Sequence, residues 1–325
     1  MGERLKRGKS VLVTGGAGFI GSHLVERLVA DGIAVTVVDD LSNGSLENLS
    51  RAANQIRIER SELGSLITAG NLDLESFDHV FHLSANAYVP PSVSNPRYDF
   101  HTTLANTFYL LDAMRACSRP PFLVYMSSAA VYGNPVNLPV SESDLTVPVS
   151  PYGVSKLAGE RYVEVFCKLY NLKGASLRLF SAYGPRQRKQ VVFDLLMKLK
   201  ASGGSIEVAG DGSQLRDFLY VGDVVEAMML IADKSRGEGE VYNVASGETH
   251  SINDLVNFWC ELCSFTPQVS YSGKVRSGDA EKWAADISRL EELGYKAQVG
   301  FKQGLKATLD WYDSSMNSSS QSVLT

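Results

Sequence analysis

The chain has 325 residues, of which 44% are hydrophobic and 21% are charged, and its formal net charge is -5. This balance offers no basic surface for nucleic acid or an anionic membrane, and no apolar run approaches the roughly 18 residues of a membrane-spanning helix. The basic N-terminus lacks the apolar core of a signal peptide and the 4 cysteines are scattered, so we expect a cytosolic protein.

The first 180 residues alternate short apolar runs with longer amphipathic stretches. Apolar runs typical of buried strands occur at 10–15, 34–40, 56–60, 79–85, 122–128 and 174–180. Helical periodicity occurs at 19–31, 98–116 and 152–170. This alternation predicts an α/β fold with a doubly wound parallel sheet that is covered by helices on both faces.

The pattern breaks after residue 180 into a basic loop with a proline, a helical stretch at 191–202 and a turn-rich region with short strands. We therefore predict that a second, smaller α/β lobe begins there. Residues 314–325 are polar and of low complexity, and we predict that they form a disordered tail because they have little apolar surface to bury.

A glycine-rich turn, "TGGAGFIG", connects the first predicted strand to the first predicted helix. Glycines at this junction let backbone N–H groups approach a pyrophosphate at the positive end of the helix dipole. The same glycines also occur in turns that serve only close packing, but here the strand, the turn and the helix occur in the expected order. The predicted cofactor contacts in this turn are Gly15, Gly18, Phe19, Ile20 and Gly21.

The second predicted strand ends at an acidic pair, Asp39 and Asp40. Asp39 lies 18 residues beyond Gly21, where a carboxylate binds the adenosine ribose hydroxyls of a dinucleotide. Two carboxylates at this place would repel a 2′-phosphate. The pair therefore predicts that NAD, rather than NADP, is the cofactor.

The stretch "SPYGVSK" places Tyr152 and Lys156 one helical turn apart at the start of an amphipathic segment. A tyrosine titrates near pH 10, so it is a base at neutral pH only where cations lower its pKa. Lys156 supplies one cation, and the nicotinamide ring of NAD+ would supply another. Such a phenolate takes a proton from a sugar hydroxyl while hydride leaves the same carbon. The alternative is a chance pair on a surface helix, but Ser127 and Ser128 end the preceding strand and would face the same site.

Together with "SSAAVYG", "RLFSAYGPRQ", "GDGSQLRDFLYVGDVVEAM" and "YNVASGE", these motifs resemble the extended short-chain dehydrogenase/reductases that act on nucleotide sugars, over about residues 9–312. The resemblance implies a Rossmann domain, retained NAD, no nucleic-acid or membrane partner, and a homodimer built on helices such as 98–116 and 152–170. It implies an NAD-binding domain at 9–180 plus about 216–245, and a nucleotide-sugar lobe at 181–215 plus 246–313.

The two residues after Ser128, the serine that the resemblance assigns to catalysis, bear on the type of reaction. Members that dehydrate or decarboxylate sugars carry acidic residues where this chain has Ala129 and Ala130. Alanine can act neither as an acid nor as a base, so the resemblance favours a 4-epimerase. The bulk of Trp283, described below, favours UDP-glucose and UDP-galactose as its substrates. A 4-keto-sugar reductase and a non-catalytic NAD-binding protein remain as alternatives.

The resemblance also implies the substrate contacts. Ser128 would bond the reacting sugar oxygen beside Tyr152, and Arg216 and Arg276 would hold the diphosphate and the nucleotide ribose. Ser181 replaces an asparagine that contacts substrate in relatives. Trp283, seven positions after Arg276, would fill the space that an N-acetyl group requires, unless it packs into the lobe and points away from the sugar.

Other polar residues are interpreted as structural or stay undecided. We predict no metal site, because the histidines and the pair Cys260 and Cys263 lack a full set of ligands at metal-binding spacing. His82 and Trp259 are interpreted as core residues, and the two cysteines as buried thiols. The remaining cations of the basic loop are either substrate contacts or solvated charges: Arg186, Arg188 and Lys189.

Overall fold

The computed structural model describes residues 5–6, 8–86, 88–201, 203–274 and 282–321, and for 317–321 it describes the backbone only. Its main feature is a sheet of seven parallel strands with helices on both faces, which confirms the predicted α/β class. Among the described residues, no helix combines the length and the apolar composition that a membrane span requires.

Six of the strands of this sheet lie where the apolar runs predict them; β5 matches its run, and the other five are somewhat shorter than theirs. They are β1 (Ser10–Thr14), β2 (Ala34–Val38), β3 (Ile56–Glu59), β4 (His79–His82), β5 (Phe122–Ser128) and β6 (Gly174–Leu179). The seventh is a later strand that returns to the sheet, named β10 (Glu238–Val244). The spatial order is β3-β2-β1-β4-β5-β6-β10, so the order reverses between β1 and β4. In open parallel sheets this reversal opens a crevice at the carboxyl ends of the strands.

Helices bury both faces of the central sheet. One face is covered by α1 (Phe19–Ala30) and α8 (Val221–Lys234), and the other by α2 (Leu63–Thr68), α5 (Asn106–Arg115) and α6 (Pro151–Tyr170). Successive side chains of a strand point to opposite faces. Val11 and Val13 accordingly pack in the core beside α1, and Leu12 packs in the core beside α5. Burial on both sides explains why these strands are apolar throughout.

The segment predicted as one helix over 98–116 is divided. A short α4 (Pro96–Asp99) continues into a π-helical turn, Phe100–Ala105, before α5 begins, and α3 (Val89–Ser94) precedes them. Thr102 and Thr107 each donate a side-chain hydrogen bond to the carbonyl oxygen four residues earlier. Hydroxyls that compete for these carbonyls distort a regular helix, so the periodicity alone did not reveal the wider turn.

The second lobe has its own small sheets and core. Its elements are β7 (Ser181–Tyr183), α7 (Gln190–Ala201), β8 (Ser205–Val208), β9 (Leu215–Tyr220), β11 (Thr249–Ser251), α9 (Ile252–Leu262), β12 (Gln268–Tyr271) and α11 (Phe301–Gln321). The short helix α10 (Ser288–Glu291) instead buries Leu290 in the core of the central sheet. β9 lies between β7 and β11, and β8 pairs with β12. The domain boundaries stay a prediction; α8 packs on the central sheet, and β10 is the edge strand of that sheet.

The C-terminal segment differs from its prediction. We predicted a disordered tail at 314–325; α11 continues to Gln321, and residues 322–325 lie outside the described residues. Phe301, Leu305 and Leu309 anchor this helix in the second core, and the Ser314 hydroxyl donates a hydrogen bond to the Asp310 carbonyl oxygen. Extending an existing helix costs far less than nucleating a new one, so a polar stretch can prolong a helix whose first turns are buried.

Candidate active site

A cleft of about 870 Å³ lies between the carboxyl edge of the central sheet and the second lobe. All the predicted site residues line this cleft except Arg276, which lies outside the described residues. Those that line it are Gly15, Gly18, Phe19, Ile20, Gly21, Asp39, Ser128, Tyr152, Lys156, Ser181, Arg216 and Trp283.

The glycine-rich turn has the shape that a dinucleotide requires. Gly15 has a φ of 72°, and a Cβ atom there would lie 2.8 Å from the backbone nitrogen of Ser84. A Cβ on Gly21 would collide with the carbonyl oxygen of Gly15. Gly18 caps α1 without a side-chain hydrogen bond, so the first N–H groups of this helix are available to an anion. The turn therefore fits a pyrophosphate.

Asp39 is held at the tip of β2 by backbone donors. Its carboxylate accepts hydrogen bonds from the backbone N–H of Ala17 at 2.9 Å and of Leu41 at 2.8 Å. Burial raises the pKa of Asp39, and these hydrogen bonds partly oppose that effect. Asp40 is exposed and instead accepts from the backbone and hydroxyl of Ser42. The two acidic residues thus lie at one end of the cleft, as predicted.

The basic loop crosses the mouth of the cleft, and we name residues 185–190 the strap. Lys189 Nζ donates to Asn43 Oδ1 at 2.9 Å and lies 5.0 Å from the ring centroid of Tyr88. Arg186 forms an ion pair with Glu26 and donates to Ser22 Oγ, both on α1. The strap therefore connects the second lobe to the glycine-rich half of the cleft, a role that the sequence left undecided.

Ser128, Tyr152 and Lys156 meet at the middle of the cleft. Ser128 ends β5, and Ser150 caps α6 by accepting a hydrogen bond from the backbone of Gly153 at 3.1 Å. Tyr152 and Lys156 lie in the first two turns of α6, and Lys156 Nζ is 5.8 Å from the Tyr152 ring centroid. The side chain of Ser128 accepts a hydrogen bond from the backbone N–H of Ala130 at 3.2 Å, and all three residues line the same cleft. The structure thus brings together all three residues that the sequence singled out for catalysis.

Burial dominates the electrostatics of this trio. It raises the pKa of Tyr152 to about 12, against the opposing effect of the hydrogen bond to Ser128. It also lowers the pKa of Lys156 to about 8, while the carboxylates of Asp99 and Glu160 oppose that change. We expected Lys156 to lower the pKa of Tyr152, but in the chain alone the pKa is raised. Removing the phenolate from water destabilises it more than the nearby ammonium group stabilises it.

The second lobe supplies the other wall of the cleft. Trp283 packs edge-on against Phe180, with ring centroids 6.2 Å apart, and the guanidinium of Arg216 lies 5.4 Å from the centroid of the Trp283 ring. The backbone N–H of Trp283 donates to the Leu215 carbonyl oxygen at 3.0 Å. Ser181 begins β7 and faces the same space. The indole therefore lines the cleft while part of its surface packs on the core.

Sequence reasoning missed a set of buried charges behind the trio. Glu160 and Arg178 form an ion pair at 2.8 Å with both side chains buried, and Ser127 Oγ donates to Glu160 at 2.5 Å. Glu160 lies one helical turn after Lys156, and Arg178 interrupts an apolar strand, so both positions carried a detectable signal. Asp99, which is 0% exposed, had no local signal.

The predicted core residues are confirmed. His82 is buried with Nδ1 2.7 Å from Thr14 Oγ1 and Nε2 3.0 Å from Thr107 Oγ1, and the indole of Trp259 donates to the Val192 carbonyl oxygen. The pair of cysteines in α9 and after it is only half-buried, and both thiols are free. Within the described residues, no three His, Cys, Asp or Glu side chains are placed to hold a metal ion together.

Comparisons with known proteins agree with this geometry. The profile of the NAD dependent epimerase/dehydratase family matches residues 11–245. The UDP-glucose 4-epimerase of Mycolicibacterium smegmatis is 33% identical over 307 residues, which cover 93% of this chain and 97% of that protein.

Two solved structures are similar over almost the whole chain. The UDP-N-acetylglucosamine 4-epimerase of Methanobrevibacter ruminantium, in complex with UDP-N-acetylmuramic acid, has a TM-score of 0.87 and 34% identity and covers 95% of this chain and 99% of its own. The Thermus thermophilus UDP-glucose 4-epimerase in complex with NAD has a TM-score of 0.84 and 34% identity, covering 94% and 99%. The chain therefore belongs to the NAD-dependent epimerase/dehydratase family, and NAD is its cofactor.

Proposed function

We propose that this chain is a nucleotide-sugar 4-epimerase that interconverts UDP-glucose and UDP-galactose. The observation that carries the proposal is the convergence of Ser128, Tyr152 and Lys156 beside two buried alanines, Ala129 and Ala130. Oxidation and reduction at C4 need only the trio and NAD. Dehydration or decarboxylation needs a further acid or base, which alanine cannot provide.

In this mechanism, Tyr152 takes the proton of the C4 hydroxyl and later returns it, while Ser128 Oγ bonds the same sugar oxygen. NAD, when bound, supplies a hydride acceptor and a positive charge beside Tyr152. That charge matters because the surroundings in the chain, burial above all, raise the pKa of Tyr152 to about 12. Lys156 keeps its ammonium group next to the Tyr152 ring, where it favours the phenolate over the phenol.

Inversion at C4 requires the sugar to turn while the nucleotide stays fixed. Arg216 lies in the wall of the second lobe, where a guanidinium can hold the diphosphate by charge-assisted hydrogen bonds. Arg276 is proposed as its partner at the nucleotide ribose. With the nucleotide held in this way, the 4-keto sugar would be free to turn, so that a hydride returned by NAD would reach the other face of C4 and give the opposite stereochemistry.

The choice of a plain hexose rests on Trp283. Relatives of similar identity are named for UDP-glucose or for UDP-N-acetylglucosamine, so family membership does not select the sugar. The indole of Trp283 lines the cleft beside Arg216, which supports the proposal that it occupies the volume an acetamido group would need. Ser181 offers a small hydroxyl at the neighbouring strand.

We also propose a homodimer, as the resemblance implies. Several large apolar side chains on α5 and α6 are exposed, among them Phe108, Tyr162, Val165 and Leu169, the last at 70%. A shared four-helix interface would bury them. Replacing Leu169 with glutamate is expected to yield monomers in sedimentation velocity, and a wild-type chain that sediments as a monomer would contradict the proposal.

The test of function is a product assay. Purified protein is incubated separately with UDP-glucose, UDP-N-acetylglucosamine and UDP-glucuronate, and products are identified by NMR while the absorbance of NADH is followed. We expect UDP-galactose from UDP-glucose with no net change in NADH. Stoichiometric consumption of NADH with a 4-keto sugar would favour the reductase, and absence of turnover with every sugar would favour a non-catalytic NAD-binding protein.

A further inference from the structure

Asp99 is a buried carboxylate that accepts hydrogen bonds from neutral side chains. Its side chain is 0% exposed at the end of α4. One oxygen accepts a hydrogen bond from Ser155 Oγ at 2.7 Å, and the other accepts from Asn86 Nδ2 at 2.9 Å. Within the part of the chain that the structure describes, neither a lysine nor an arginine forms an ion pair with Asp99. A buried charge held only by neutral donors acts strongly on other groups nearby.

The hydrogen bond from Ser155 places Asp99 against α6, where the next residue in the chain is the titratable Lys156. Lys156 is 2% exposed, and its ammonium donates to the Met126 carbonyl oxygen at 2.6 Å rather than to a carboxylate. Glu160, one turn later, also raises the pKa of Lys156, but its charge is partly compensated by a direct ion pair with Arg178. Asp99 therefore contributes the uncompensated negative charge on this side of the trio.

The other titratable neighbours do not supply such a charge. The ring centroid of Tyr125, from β5, lies 5.2 Å from Lys156 Nζ. Burial raises the pKa of Tyr125, so this tyrosine stays neutral. His82 from β4 stacks on Tyr125, and burial and the charge of Lys156 lower its pKa to about 3. The groups that face Lys156 from β4 and β5 are thus uncharged at neutral pH.

We propose that Asp99 is a positioning residue that acts through Tyr152 and Lys156 to set the pH range of catalysis. The inference rests on the proposed function, which assigns Tyr152 as the base and Lys156 as the cation beside it. Asp99 opposes the loss of the proton from Lys156 and also from Tyr152, so it raises the pKa of both groups. Removing the charge lowers both together.

Removing the charge of Asp99 is therefore expected to shift the whole profile of activity against pH without lowering the maximal activity. The active state needs Tyr152 deprotonated and Lys156 protonated, which gives an acid limb and an alkaline limb. In Asp99→Asn both limbs are expected to move to lower pH by about one unit, the low end of the effect of a nearby charge. The variant is then more active than the wild type on the acid limb and less active on the alkaline limb.

Two matched variants separate charge from structure. Ser155→Ala removes a hydrogen bond of Asp99 but keeps its charge, so both limbs are expected to stay in place. Asp223→Asn removes a carboxylate that is equally buried in α8, where it accepts hydrogen bonds from the backbone of Gln298 and Val299, and it is expected to leave the profile unshifted. Asp99→Ser is a second neutral variant, so that the test does not depend on the folding of one protein.

A measurement without turnover keeps this inference distinct from the proposed function. The ammonium of Lys156 is titrated by NMR in NAD-free protein carrying lysine labelled at Cε, and Lys156→Met assigns its signal. The midpoint is expected near the pKa of about 8 in the wild type and about one unit lower in the neutral variants. An unchanged midpoint, or a profile that loses height without moving, overturns the role of Asp99. A shifted midpoint in a protein that epimerises no sugar supports that role and refutes the proposed function alone.

Discussion

Trp283 provides the sharpest test of substrate choice. Replacing it with cysteine removes an indole that lines the cleft and leaves a small side chain in its place. Forcing extra heavy atoms into a filled site typically costs about 1–3 kcal/mol, which corresponds to about a tenfold to hundredfold discrimination. We therefore expect Trp283→Cys to raise the ratio of kcat/KM for UDP-N-acetylglucosamine over UDP-glucose by about that factor.

The contacts of Trp283 show why the ratio, rather than either rate alone, is the quantity to measure. Its ring carries the guanidinium of Arg216 at 5.4 Å, worth about 0.5–1 kcal/mol, and packs edge-on against Phe180, worth about 0.5–1.5 kcal/mol. Losing these contacts disturbs Arg216, which is proposed to bind the diphosphate common to both substrates. That loss lowers both values of kcat/KM and cancels in the ratio.

The assay compares initial rates on both nucleotide sugars for the wild type, Trp283→Cys and a control. Trp311→Ala is the control, because Trp311 also lies under a guanidinium, that of Arg188 at 5.5 Å, but is not among the residues lining the cleft. It is expected to leave the ratio unchanged. A wild type that converts both sugars equally well, or a ratio that stays constant in Trp283→Cys, would refute the reasoning.

Three further changes test the other parts of the cleft. Tyr152→Phe is expected to lower kcat at least about 100-fold with NAD still bound, because it removes the proton acceptor, and near-normal turnover would exclude Tyr152 as the base. Asp39→Ala is expected to weaken NAD binding and to reduce the preference for NAD over NADP when each cofactor is titrated into the protein. A wild type that prefers NADP would contradict the role assigned to Asp39. Lys189→Met removes the bond from the strap to Asn43, so NAD is expected to dissociate several-fold faster in stopped-flow fluorescence; an unchanged rate would show that the strap does not retain it.

The parts of the site that the sequence predicted are those whose geometry is local. The turn from Gly15 to Gly21 is recognisable from adjacent residues, because its glycine spacing is a local pattern and a Cβ on Gly21 would collide with the Gly15 carbonyl oxygen. A Cβ on Gly15 would instead collide with Ser84, which is distant in the chain. Tyr152 and Lys156 share a face because the helical repeat brings together residues four apart. Ser128 follows from the end of a strand that its apolar run already marked.

The parts that were missed depend on contacts between distant segments. The strap contacts α1 through Arg186 and Asn43 through Lys189, and no pattern within the loop indicates those partners. Asp99 meets Ser155 across 56 positions of sequence. The tail was predicted as disordered because its composition is polar, but the anchoring of α11 in the second core decided its helical state.

By itself, the sequence determined the α/β class and predicted the NAD-binding turn and the proposed catalytic trio, since each is encoded by short-range spacing and residue type. Only the tertiary structure decided the electrostatic state of that trio. The pKa values of Tyr152 and Lys156 follow from burial and from carboxylates that other elements bring to them. Desolvation and through-space charge depend on which segments pack together, and that packing is a property of the whole fold rather than of any motif.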